Sequence, residues 1–231
     1  NCYNSNIMNK LPAQKVDGLI DGMALLEELA THKEPVAGLE LARKLGMSPV
    51  RVNRLLKTFA YLGYAYRTSS RKYAPGPALH VLAVESMASS GLLRNAYQYL
   101  ESLSELVPTV ALGVLWKEKV CYLFHRSGGK GMGSGLSPAF LYDWERSSIG
   151  HALMAERDFE DIPGLTPELA KQLLHTRRNG YALVRNSKHY TLAVTIGEPA
   201  YAALAVSGMK TLDEIPPLVS QLKEYVRLIA E

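Results

Sequence analysis

Val50, Asn53, Arg54, Lys57 and Tyr61 follow one another at spacings of 3, 1, 3 and 4 residues. On a helix those spacings gather all five on one side. Their chemistry suits a nucleic-acid groove. A guanidinium matches the two acceptors of guanine, a carboxamide matches the donor–acceptor pair of adenine, and an ammonium neutralises phosphate. Interleaved with them, Val52, Leu55, Leu56, Phe59 and Leu62 run at spacings of 3, 1, 3 and 3 and form an apolar stripe that predicts a buried face. One helix over 48–62 would therefore bury one side and offer DNA-reading groups on the other.

The flanking residues supply what would position such a helix. A first helix is expected over 38–45, with Leu41 and Leu45 on one face, and Gly46 ends it because glycine tolerates the left-handed conformation of a helix terminus. Ser48 is placed to cap the next helix, with Pro49 at its first position where no amide donor is missed. Gly63 closes it. Residues 64–67 and 71–74 read as two short strands around a tip at 68–70. An opening helix over 17–30, with Leu19, Met23, Leu26 and Ala30 on one side, would complete a three-helix core. The pattern is a winged helix-turn-helix. Arg54 and Asn53 are the candidate base readers, Ser48, Arg51 and Lys57 the phosphate contacts, and Val50 lies on the same face. Arg67, Arg71 and Lys72 of the wing are expected on phosphate or in the minor groove. Tyr64, Tyr66 and Tyr73 are expected to pack rather than stack on bases.

Charge follows the same division. Residues 31–74 hold nine basic and two acidic residues, a net +7, whereas the whole chain carries +4 and the remainder therefore −3. Positive charge is concentrated where phosphate neutralisation requires it. A symmetric dimer would read a pseudo-palindromic double-stranded DNA site with half-sites roughly 34 Å apart or a related spacing.

With 231 residues, 47% hydrophobic and 21% charged, the chain suits one large or two modest domains. No apolar run approaches the roughly 20 residues of a membrane span. Residues 1–12 read as a disordered lead, with Met8 a candidate natural start, and lack the basic-then-apolar order of a secretion signal. Cys2 and Cys121 do not suggest a disulfide framework, so a cytoplasmic setting is the default, with Cys121 expected as a buried, inert thiol.

Past Pro75-Gly76-Pro77 a helix over 78–89 reads as a linker, and a second over 92–106 opens another domain. Strands are expected at 109–116 and 120–125 around a Lys117-Glu118-Lys119 turn, and at 181–185, 189–196 and 201–207. Helices are expected at 147–156, capped by Ser147 or Ser148, at 166–178 with Asn179-Gly180 as its stop, and at 216–230. The expected organisation is a winged helix-turn-helix domain over 1–75, a linker helix over 76–90, and an α+β domain over 91–231 with an antiparallel sheet of five or so strands.

LLEELATHKEPVAGLELARKLGMSPVRVNRLLKTFAYLGYAYR, then KYAPGPALHVLA, then SSIGHALMAE, RRNGYALV and AALAVSG occur in an order and spacing that resembles the IclR family of bacterial transcriptional regulators from about Val16 onward. The resemblance implies a C-terminal GAF-like domain that binds a small organic or sugar-derived acid, assembly as a homodimer or homotetramer, and repression as the mode. It places an effector pocket on Ser148 and Ile149 at a helix start, where amides and the helix dipole favour a carboxylate, and on Thr191 and Ser207 of two strands. Tyr142 and Trp144 would line an apolar wall. The chain departs from the family pattern between Tyr181 and Leu192, where Arg185-Asn186-Ser187-Lys188 makes a shorter connection without the usual acid, and at Asp143, where many members have proline. A second domain that only oligomerises is the alternative these departures raise.

Other chemistry finds little footing. The glycine-rich segment 127–137 lacks the GK[ST] ending of a phosphate loop and reads as a pocket lid or surface loop. His125, His151 and His189 have no tight metal spacing, and a metal-binding sensor or an enzyme with an accessory DNA domain is the remaining alternative. With no G-x-S-x-G elbow and no paired carboxylates, no catalytic residue, metal or cofactor is expected.

Overall fold

The computed structural model describes residues 13–127 and 141–231. The glycine-rich segment beyond Ser127, Cys2 and the 1–12 lead lie outside the described residues. Two compact units meet in sequence at Ser90 and Gly91.

The first unit begins with α1 (Asp17–Thr31), α2 (Gly38–Leu45) and α3 (Pro49–Tyr61). β1 (Ala65–Arg67) and β2 (Tyr73–Pro75) follow as an antiparallel wing, and Val36 bridges to Tyr73 on the wing's inner side. The core is Leu25, Leu29, Val36, Leu41, Val52, Leu56, Ala65 and Tyr73. Gly46 stands at φ +64°, and its amide donates back to α2, so the chain turns sharply enough for the cap of α3, Ser48, to follow two residues later. Two expectations are corrected here. α1 buries Gly22, Leu25, Leu26 and Leu29, while Leu19 is 63% and Met23 47% exposed. The helix is apolar on more than one stripe, and the buried one is the side that meets α3, where a Cβ at Gly22 would make ordinary contact with Phe59 and Leu55. Leu62 is exposed because α3 ends one residue before it. The unit closes with α4 (Pro77–Ser90), which buries none of its residues.

α1 also carries a charged clamp. Glu28, 15% exposed, accepts from Lys44 of α2 at 2.6 Å and faces His32 at 3.0 Å. Burial alone would raise the Glu28 carboxyl, but Lys44 and then His32 outweigh it and hold it below its ordinary 4.5.

The second unit opens with α5 (Leu92–Leu106) and contains a six-stranded antiparallel sheet. Its strands are β3 (Thr109–Trp116), β4 (Lys119–Ser127), β5 (Leu141–Asp143), β6 (Ala182–Arg185), β7 (Tyr190–Ile196) and β8 (Ala202–Met209), in the order β5-β4-β3-β8-β7-β6. β5 escaped the sequence reading because three residues show no alternation. The two faces differ in side-chain size. Val110, Leu112, Leu192, Val194, Leu204 and Val206 point to α5 and to α8 (Ile215–Ala230), against Leu100, Leu103, Leu222 and Val226. Ala111, Gly113, Ala193, Ala203 and Ala205 point the other way, beneath α6 (Ser148–Met154), beside which runs α7 (Pro167–Asn179). Small residues let α6 lie close: Ile149 meets the space a Cβ on Gly113 would take. Cys121 of β4 is half-buried rather than fully buried, and burial pushes its thiol upward. No helix of the described residues is long and apolar enough to cross a membrane.

Two outcomes are expected. A Cβ on Gly150 would lie 2.3 Å from the Trp144 carbonyl oxygen, so Gly150→Ala should destabilise the second unit by about 1–3 kcal/mol or more in urea unfolding. The lowered Glu28 contributes stability fully above 4.5 and loses it as pH falls below that value through the folded-state pKa. Melting temperature should therefore drop less steeply below pH 4.5 in Glu28→Gln than in the native chain.

Candidate nucleic-acid interface and effector face

α3 is launched by its cap. Ser48 Oγ accepts from the Arg51 amide at 3.3 Å and Pro49 occupies the first turn. With Val52 and Leu56 fully buried, the rotation of α3 is fixed, and Val50 (72% exposed), Asn53, Arg54, Lys57 and Tyr61 face solvent. The wing meets this face from the side. Thr68 ties its tip, bonding the Lys72 amide through Oγ1 at 3.1 Å and accepting the Arg71 amide through its carbonyl, while Arg71 takes φ +63°. Tyr73 is buried in the core with Arg67 over its ring at 5.8 Å, whereas Tyr66 is exposed.

Together α2, α3 and the wing enclose a groove of about 450 Å³ lined by Gly38, Leu39, Pro49, Val50, Asn53, Arg54, Arg67, Arg71 and Tyr73. Five residues singled out from sequence thus share one concavity: Val50, Asn53, Arg54, Arg67 and Arg71. Lys57 and Lys72 are exposed beside it. Ser48 is occupied as the cap. Arg51, expected on phosphate, is instead paired with Asp21 of α1. The apolar floor of Leu39 and Tyr73 was not foreseen; an exposed leucine at the second position of α2 was the available signal.

In the second unit the expected effector residues fall into two groups. Trp144 (3% exposed), Ser148 and Ile149 are buried where α6 starts. Ser147, not Ser148, is the cap, accepting from the Gly150 amide, and its Oγ lies 3.3 Å from the Tyr122 hydroxyl. Tyr142 is half-exposed, edge-on to Tyr122 at 5.3 Å. The second group is a hydroxyl row. Thr191 pairs with Ser207, Ser207 with Thr109, and Thr109 with Ser127, across four neighbouring strands. Thr109 and Ser127 are 3.1 Å apart, and Thr191 donates to the Val184 carbonyl at 3.1 Å. Four residues of β3 separate the row from Gly113 under α6, roughly 13 Å of strand. Between the groups lie Ala111, Ala193 and Ala205, with His125 opposite Ala111. Burial lowers His125, so the imidazole is neutral near pH 7. Thr109, Tyr122, His125 and Ser127 were not named as pocket residues; alternation links His125 with Ser127, but Tyr122 joins them only through the bulge between β3 and β4.

The tight β6–β7 connection has a local cause: Asn186 Oδ1 accepts from the amides of Lys188 and His189, an Asx turn that closes the hairpin in few residues. The three histidines are separately engaged. His151 is buried with Nε2 donating to the Glu145 carbonyl, His125 stacks edge-on to Tyr122, and His189 faces Asn186. Among the described residues no three His, Cys, Asp or Glu side chains could hold a metal. Arg177 fixes the segment after α6 by donating to the Ala155 and Arg157 carbonyls, both at 2.6 Å, beneath Phe159. A separate cavity of about 360 Å³ lies beside α7, lined by His151, Gln172, Thr176 and Leu183 among others; none of the expected effector residues lines it.

The chain is thus a helix-turn-helix with a charged wing, followed in sequence by an antiparallel sheet layered by helices on both faces. Residues 21–69 match the IclR helix-turn-helix domain. The HTH-type transcriptional regulator BhcR of Paracoccus denitrificans (strain Pd 1222) is 28% identical over 162 residues, 62% of this chain and 58% of that relative's length. The fold is shared with a putative IclR transcriptional regulator from Silicibacter sp. TM1040 (TM-score 0.76, 21% identity, 92% of this chain and 94% of that one). It is also shared with an IclR homolog from Microbacterium hydrocarbonoxydans solved with 4-hydroxybenzoate (TM-score 0.66, 20% identity, 92% and 97%). Residues 21–69 thus match the IclR helix-turn-helix domain, and the whole chain is similar in fold to solved IclR-type structures.

Base readers and phosphate contacts separate by their losses. Arg54→Ala should cost about 1–3 kcal/mol on a specific duplex and relax base preference, while Lys57→Ala weakens specific and scrambled duplexes alike. Equal losses on both duplexes for Arg54→Ala would remove it from base reading.

Proposed function

We propose that this chain is a DNA-binding transcriptional regulator whose second unit senses a small molecule. The observation that carries the reading is the groove in which Asn53 and Arg54 of α3 meet Arg67 and Arg71 of the wing. It combines two side chains suited to base reading with two cations suited to phosphate or the minor groove. Lys57, Lys72 and Ser48 flank it, and Arg54 and Asn53 are the base readers.

The regulator acts as a homodimer or homotetramer on a pseudo-palindromic operator. Exposed Val16 just before α1, Leu19, Ile20 and Met23 on α1, and Val81, Leu82 and Val84 on α4, support assembly, since apolar side chains at this density favour a covering surface. Repression released by the effector is the mode. The effector sits against the hydroxyl row of Thr109, Thr191 and Ser207, on the side of the aromatic wall of Tyr122 and Tyr142. Along that sheet face the paired strand positions carry no Lys, Arg, Asp or Glu, so recognition runs through Thr109, Thr191, Ser207 and His125. A small aromatic or sugar-derived acid suits this lining, and 4-hydroxybenzoate is the first compound to try. The alternative, a second unit that only oligomerises, gains from the burial of Trp144, Ser148 and Ile149, which fills the α6 end of that face.

Fluorescence anisotropy on DNA from upstream of the gene, against a scrambled duplex at two salt concentrations, tests the first half. Tighter, salt-weakened binding to the upstream DNA is expected, and no binding to either sinks the reading. A thermal-shift screen of aromatic acids, sugar acids and neutral sugars tests the second half. A ligand at about 100 times its Kd stabilises by about 2.7 kcal/mol, and Ser207→Ala should abolish the shift. No shift from any class favours the oligomerising reading.

A further inference from the structure

Arg51 is turned away from the groove that Arg54 faces. Helical positions advance by about 100° per residue. Taking Val50 as the centre of the exposed face, Arg54 and Lys57 fall within about 40° of it and Arg51 about 100° round. That places Arg51 on the border between the exposed face and the side on which Leu55 and Phe59 approach Gly22 of α1. At this border its Nε is paired with the carboxylate of Asp21, the residue before Gly22. The arrangement recurs one helix over: Glu28, two turns further along the same side of α1, takes Lys44 of α2 at 2.6 Å. α1 therefore presents two carboxylates to the helix-turn-helix, and each neutralises a cation of the basic segment.

Both members of the Asp21–Arg51 pair keep solvent access, with 25% and 45% of their side chains exposed. Exposed pairs of this kind add little to stability. Their effect on charge is larger, because nonspecific DNA affinity scales with the number of phosphates neutralised. Arg51 lies in the first turn of α3, next to the capped amide end and one residue from Val50 in the groove. A change of rotamer would carry its guanidinium toward a phosphate flanking the groove. Resting on the reading of α3 as the recognition helix, we propose that Asp21 sets the affinity of this domain by holding Arg51 off the DNA backbone. Asp21 is thus an affinity-setting residue that touches no DNA. It lowers binding to every sequence equally, so overall affinity changes while the discrimination made by Asn53 and Arg54 does not.

The test is the slope of log K against log salt for the full chain on a random-sequence duplex, with the upstream duplex alongside. Asp21→Asn should steepen the slope by about 0.9, the value of one phosphate contact, and tighten both duplexes about two- to fivefold near 0.1 M salt. Arg51→Ala in the native background should leave the slope unchanged, and in the Asp21→Asn background should return it to the native value. A flattening of about 0.9 for Arg51→Ala alone would mean that Arg51 already sits on phosphate, and would overturn the proposal. So would an unchanged slope for Asp21→Asn. A purely structural clamp would weaken binding in both single variants without steepening either. If Asp21→Asn melts below the assay temperature, the Arg51→Ala slope alone decides. Failure of the native chain to bind any duplex would instead remove the DNA-binding reading on which the proposal stands.

Discussion

The burial of Val52 and Leu56 against Leu25, Leu29 and Leu41 is the contact on which the first unit depends. Burying two large aliphatic side chains at spacing 4 leaves α3 one rotation about its axis. Everything that reads outward from α3 inherits its direction from that choice. α1 meets α3 around Gly22, Ser48 and Gly46 set where α3 starts, and the Val36–Tyr73 bridge anchors the wing that closes the groove. The polar residues of the groove contribute little to holding the domain together. They are free to answer to a ligand because the apolar side has already fixed the geometry.

The second unit uses size where the first uses rotation. Its sheet carries branched aliphatics toward α5 and α8 and alanine or glycine toward α6. The large face makes an ordinary packed core. The small face brings a short helix close over part of the strands and leaves hydroxyls in register over the rest. Two surfaces with different tasks are thus built from alternate residues of the same strands.

Much of this was legible in the sequence because the signals are local. Gly46, Ser48-Pro49, Thr166-Pro167 and Asn179-Gly180 each act within one helical turn, and the structure places a terminus at each. The exposed face of α3 was equally readable, since two apolar residues a turn apart left only one side for Asn53 and Arg54. What was not legible depended on partners distant in sequence. The stripe of α1 could not be chosen without knowing that α3 crosses at Gly22. Arg51 looked like any first-turn cation until Asp21, thirty residues earlier, was found beside it. On the expected effector face the family likeness supplied Ser207 and Thr191. Thr109 and Ser127 complete their row only through strand register, which no spacing along the chain reveals.

α4 has a different lesson. Beyond its first turn, where Ala78 and Leu79 are partly buried, its leucines, valines and alanines are exposed within their own unit, so folding places little constraint on which apolar residue stands at each of those positions. A substitution such as Val81 or Leu82 to a polar residue is invisible to the stability of either unit. Whatever keeps the helix greasy acts on the assembled, working protein. Among relatives, drift in α4 should therefore track partners and oligomeric form, while drift in α3's inner stripe tracks only the fold.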